Sequence, residues 1–131
     1  MILQKWSKVH LPKRNRCYKR KFLLWQLKLF NINGERWEIV AVQPDSPQLK
    51  RSDGGYTIGM CDDNLKCIFV ATNLSLVLLK KVLCHEIVHA AMFSYNVELT
   101  LEQEEMLAEL IATYGEEIID ITNTLFYKLK E

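Results

Sequence analysis

The sequence predicts an α+β fold, with antiparallel strands and hairpins first, then a buried histidine-bearing helix, then a long C-terminal helix. Three observations carry this expectation. Asn33-Gly34 separates two strand-like runs, FLLWQLKLF and WEIVAV. The segment SLVLLKKVLCHEIVHAAMFSY contains no glycine or proline and is apolar on every side, the mark of a central helix rather than a surface one. A second segment free of proline opens at Thr100 and runs almost to the end of the chain. Strands followed by helices, rather than alternating with them, belong to the α+β class.

Taken in order, residues 1–21 are basic and irregular, with Pro12 interrupting any long element, and are expected to form an arm apart from a single domain over 22–131. Asn-Gly between two strand-like runs predicts a tight hairpin, because a type I′ turn needs positive φ at both central residues. QPDSPQLKRSDGG is punctuated by Pro44, Pro47, Gly54 and Gly55 and reads as a loop. YTIGMC and KCIFVA then form a second hairpin around Asp62-Asp63-Asn64, with Cys61 and Cys67 able to approach across it. The central helix follows, long enough for about five turns. In the last helix the Thr100 hydroxyl and Gln103 form a capping box, and Gly115 is where a kink could fall.

A chain of 131 residues supports one core without covalent staples. With 49% hydrophobic and 25% charged residues, it is no disordered segment. Residues 1–34 hold nine Lys/Arg and no acid, whereas all 16 Asp/Glu lie from Glu35 onward. A basic arm of this kind suits nucleic acid or an acidic protein, bound through residues 5–28, with Trp6, Tyr18 and Trp25 interleaved among the cations. Four cysteines without CxxC spacing read as reduced thiols of a cytoplasmic protein. No apolar stretch is long enough to span a bilayer, and Gln26 and Lys28 interrupt the run that could pass for a secretion signal.

The chemistry is concentrated in CHEIVHAAM. At 100° per residue, His85 and His89 project from one helix face, one turn apart, where two imidazoles can share a metal ion. Glu86 is rotated off that line, able to reach water beside the ion without ligating it. His-Glu-x-x-His is the zinc-hydrolase helix, in which the metal acidifies water and the glutamate takes the proton. Three such groups left dry and unpaired on an apolar helix would cost several kcal/mol in total. Coordination removes that cost.

Two histidines leave zinc short of one protein ligand. His10 lies in the basic arm, and the metzincin extension would need Gly at 92 and His at 95, where this chain has Met92 and Tyr95. The acidic start of the last helix therefore supplies the candidates Glu102, Glu104, Glu105 and Glu109. Met106, Leu107, Leu110, Ile111, Tyr114 and Ile118 form its expected core face, which taken alone favours Glu104. A second stripe of Leu101, Glu105, Ala108 and Ala112, with two small residues for close helix approach, favours Glu105. On that choice Glu104 should contribute little.

HEIVH followed by EEMLAELIA resembles the gluzincin metallopeptidases, and the short chain with strands just before the motif is similar to the small metallopeptidase-like proteins of phages and mobile elements, which are related in architecture to the ImmA/IrrE family. The resemblance spans roughly residues 37–120. It implies a minimal zincin-like fold, one Zn²⁺ held by His85, His89 and Glu105, and Glu109 orienting a ligand histidine. Glu109 replaces the aspartate of that family pattern, the additional histidine often found four residues past the motif falls on Phe93, and no downstream histidine is present to stabilise an oxyanion. Tyr95, Tyr114 or water would have to serve, and neither tyrosine is chosen.

The function expected is a zinc-dependent metallopeptidase with Glu86 as general base and a protein or peptide as substrate. In that role KCIFVA should form the edge of the cleft, where an extended peptide adds as a further strand. The alternative is a metal-stabilised module that binds protein or nucleic acid without catalysis.

Overall fold

The computed structural model describes residues 28–131. The basic arm and residues 22–27 lie outside the described residues. Strands β1 (Leu29–Ile32) and β2 (Glu35–Val42) form the first hairpin, and Asn33 (φ 50°) and Gly34 (φ 77°) supply the two left-handed residues of its turn. Strands β3 (Gly59–Asp62) and β4 (Cys67–Ala71) form the second, closed by a turn in which Leu65 N–H donates to Asp62 Oδ1 and Lys66 takes φ 51°. Helices α1 (Leu76–Ser94) and α2 (Leu101–Leu129) follow. The class is α+β. None of the described helices is long and apolar enough to cross a membrane.

The hairpins do not sit side by side in chain order. The sheet order is β1-β2-β4-β3, and β2 pairs with β4 in parallel, so a mixed sheet replaces an all-antiparallel one. The loop after β2, with its short 3₁₀ turn at Pro47–Leu49, crosses over and delivers β3 to the outside. This corrects the expectation for KCIFVA. All five residues of β4 are buried and the strand is paired on both sides, so it cannot be a cleft edge; β3 is the edge. Its uninterrupted run of apolar residues is what a central strand needs, not an edge. Cys61 stands opposite Ile68 and not Cys67, and both thiols are free.

Helix α1 lies on one face of the sheet. Trp37, Ala41, Ile68, Val70, Val82 and Ala90 form the core between them. Its C-terminal end is pinned by Trp37 Nε1, which donates to Ser94 Oγ at 2.9 Å in a buried contact, and by Asn33 Nδ2, which donates to the Ser94 carbonyl at 2.9 Å. The first hairpin therefore fixes where the helix ends, and with it the heading of His85 and His89. Burial on all sides holds for the middle of α1 but not its first turn, where Leu76 and Val77 are 84% and 85% exposed.

The turn into α2 combines two strong signals. Asn96 takes the left-handed conformation (φ 52°) while Val97 N–H donates to Met92 O and Asn96 N–H to Phe93 O, a Schellman ending of α1. Thr100 and Gln103 then form the expected capping box. α2 continues unbroken through Gly115 for 29 residues, about 43 Å.

α2 packs on α1 as an outer layer, antiparallel to it, through its narrow stripe. Ala108 is fully buried, with Ala112 and Gly115 half-buried beside it. Of the core face expected from amphipathicity, only Leu107 is half-buried. Met106, Leu110, Ile111, Tyr114 and Ile118 are exposed. Small residues win because they let the two helix backbones approach closely enough for α2's acids to reach α1's histidines.

Candidate metal centre

His85 and His89 stand one turn apart on the side of α1 that faces α2, with ring centroids 5.0 Å apart. Glu105 reaches both of them. Its Oε2 lies 3.0 Å from His85 Nε2 and its Oε1 lies 3.0 Å from His89 Nε2. The ligand atoms of His85, His89 and Glu105 all fall within 4.8 Å of one another, a group able to hold a metal ion. A tetrahedral ion with bonds of about 2.0–2.2 Å keeps its ligand atoms roughly 3.3–3.6 Å apart. The two Glu105–imidazole distances would have to open by a few tenths of an ångström to admit one. The Glu105 side chain, 51% exposed, has the freedom to supply it.

The outer nitrogens of both imidazoles also meet carboxylates. His85 Nδ1 lies 3.5 Å from Glu109 Oε2, and Glu109 is held in turn by Lys81 Nζ at 2.7 Å. That lysine keeps the Glu109 carboxyl below its ordinary pKa, and hence ionised. His89 Nδ1 lies 3.2 Å from Glu104 Oε1. With an ion on Nε2, a carboxylate at the far nitrogen would accept its N–H and orient the ring. Glu109 thus lies beside the outer nitrogen of His85. The minor role expected for Glu104 is corrected: its side chain is only 18% exposed and it touches His89 directly. Glu104 and Glu105 do not divide between histidines and water, because both reach the imidazoles. A helix that packs close through alanines lets adjacent acids straddle the same imidazole. Glu102 is exposed and makes no contact with either histidine.

Glu86 is buried and lies outside the metal group, against the edge strand. The contact is possible because residue 59 is glycine. A Cβ there would lie 2.6 Å from Val82 Cγ1 and 3.2 Å from Glu86 Cγ and Oε1. Burial, above all, raises the Glu86 carboxyl pKa over the usual carboxylate range; His89 and His85 pull it down and Glu105 pushes it up, without reversing the result. A base with a raised pKa is a better proton acceptor near neutrality. The neighbouring Cys61 thiol is also pushed up, first by burial and then by Glu86 and other nearby acids, so it stays protonated.

A two-lobed cleft runs along the open edge of β3, and both lobes include Gly59, His85 and Glu86. One lobe, about 310 Å³, continues to Leu78, Lys81 and Glu109. The other, about 330 Å³, continues to Arg51, Cys61, Phe93 and Leu101. Tyr95 and Tyr114 are exposed and line neither lobe, so neither is positioned as an oxyanion donor. The sequence assigns no expected cleft role to Arg51 or Lys81, and to Cys61 only an approach to Cys67. Arg51 reaches the cleft through tertiary packing alone, whereas Lys81 stands one turn before His85 on the same helix, a spacing that could have pointed to it. No protein-family model, curated protein or solved structure matches the chain at a significant level.

Proposed function

We propose that this chain is a zinc-dependent peptide hydrolase of minimal zincin-like design, with His85, His89 and Glu105 as the metal ligands and Glu86 as the general base. The observation that carries the reading is the division of labour among the acids: Glu105 bridges both Nε2 atoms, while Glu86 stands beside them, buried and uncommitted, at an open strand edge. Two imidazoles and a carboxylate are the donor set of catalytic zinc sites, which keep a position for water. When bound, the ion would supply Lewis acidity and lower the pKa of water.

The remaining work belongs to the chain's own residues. Glu104 and Glu109 hold the two imidazoles in the ligating tautomer. Glu86 accepts a proton from attacking water and returns it to the leaving amine. The free edge of β3 offers main-chain groups to an extended peptide, which adds as a fifth strand. The cleft on both sides of Glu86 has room for side chains flanking the scissile bond.

The test is hydrolysis of a quenched-fluorescence peptide library by zinc-loaded protein, beside Glu86→Gln. Cleavage by the parent and its loss in a variant that keeps its metal supports the reading. A parent that cuts nothing leaves the alternative, a metal-stabilised binding module. The apolar stripe exposed along α2 is the observation in its favour.

A further inference from the structure

The cleft carries one cation in each lobe, and the two are held differently. Lys81 is committed, with its Nζ 2.7 Å from Glu109. Arg51 is not. Among the described residues its one ion pair is a loose contact of Nε with Asp53 Oδ1 at 3.6 Å, and no cleft carboxylate lies in ion-pair reach of it.

The turn that presents Arg51 is well built. Arg51 N–H donates to the Gly55 carbonyl at 2.7 Å and Gly54 N–H to the Arg51 carbonyl at 3.0 Å. Gly55 N–H donates to Asp53 Oδ1 at 2.8 Å, and Gly54 takes φ 87°. A Cβ on Gly55 would lie 2.8 Å from Arg51 Nη2, so the guanidinium rests where only glycine leaves space. Asp53 approaches the Nε edge and leaves most of the planar donor fork uncommitted.

We infer that Arg51 is a substrate-binding residue that receives a carboxylate, so that the cleft selects peptides with an acidic group in the lobe it shares with Phe93 and Leu101. A guanidinium fork matches a carboxylate in two parallel hydrogen bonds, which neutral side chains cannot reproduce. The rest of that lobe sharpens the choice. Among the described residues Arg51 is the one lysine or arginine that lines it, so one position along a bound peptide gains a guanidinium partner for its negative charge. The inference rests on the peptide-hydrolase reading for the kind of ligand, but its test reads binding and not turnover.

The experiment uses zinc-loaded Glu86→Gln protein and an array of acetylated, amidated hexapeptides. A single glutamate is walked through each position and compared with glutamine, and a second set carries free C-termini. The expected result is roughly ten-fold tighter binding of glutamate over glutamine at one position, or of the free over the amidated terminus, which tells a side chain from a chain end as the source of the carboxylate. Arg51→Ala should abolish that discrimination while neutral peptides bind as before. Arg51→Lys, which keeps the charge but not the fork, should retain only part of it. Gly55→Ala, which keeps the arginine but displaces it, should weaken it. Equal binding of acid and amide peptides by the parent, or discrimination that survives Arg51→Ala, overturns the inference. Discrimination through Arg51 in a chain that cuts no peptide would defeat the hydrolase reading and leave this one standing; cleavage without discrimination does the reverse.

Discussion

The two faces of α2 behave in opposite ways. The broad face, with Met106, Leu110, Tyr114, Ile118 and Ile121, has the stronger hydrophobic character and is exposed. The narrow face, with Ala108 and Ala112, buries little area of its own, yet it is the one that meets α1. Burial of apolar area would have selected the first. Contact between Glu104, Glu105 and Glu109 and two histidines requires the second, since only small residues beside the acids allow the helices to close. The helix is turned so that its acids meet the histidines, and its apolar side is left exposed.

The largest effects should therefore come from the narrow face. Ala108→Leu inserts a branched side chain where the residue is fully buried, and is expected to destabilise the fold by about 1–3 kcal/mol and weaken metal binding with it. Leu110→Gln on the broad face should change stability by no more than about 0.5 kcal/mol. Chemical denaturation of the two variants separates the faces, and a larger loss from Leu110→Gln would show that the broad face is covered.

Next come the acids that touch the outer nitrogens. Glu104→Ala and Glu109→Ala should each lower metal affinity by about 10–100-fold, read by competition with a chromophoric chelator. Loss at Glu109 alone would mean that the Glu104–His89 contact does not orient the ring. Gly59→Ala sharpens the other side of the site. It should cost about 1–3 kcal/mol through its clash with Val82, and lower any hydrolysis more than metal binding, because the displaced acid is Glu86.

A smaller, pH-dependent effect follows from Glu86. Its folded-state pKa is raised, chiefly by burial, so the fold holds the proton more tightly than the unfolded chain does. The stability this lends is present at low pH and is lost as pH rises through the folded value. Metal-free Glu86→Gln should hence melt a few degrees above the metal-free parent at neutral pH, with the gap closing as pH falls. A constant gap across that range would show that ionisation of Glu86 is not its source.

Much of this arrangement was readable from local sequence. Asn33-Gly34 placed the first turn because backbone geometry demands those residues. The helix of His85 and His89 was readable from its spacing, and the role of Glu109 entered only through the resemblance. What could not be read depends on pairing between segments distant in the chain. That β4 would lie inside β3 is decided by the crossover after β2, and KCIFVA carries the information only as an unbroken apolar run. Arg51 joins the site across an edge strand, with no periodicity to link it to His85. For Glu104 and Glu105, amphipathicity and helix approach point to different acids in the sequence, whereas close approach lets both adjacent acids reach the histidines.

The central claim is that Glu105 ligates and Glu86 does not. It is tested most directly by zinc stoichiometry of purified Glu105→Ala and Glu86→Gln beside the parent, measured by elemental analysis after dialysis against trace metal. Close to one ion per chain is expected for the parent and for Glu86→Gln, and close to none for Glu105→Ala. Full metal in Glu105→Ala, or its loss in Glu86→Gln, would contradict it.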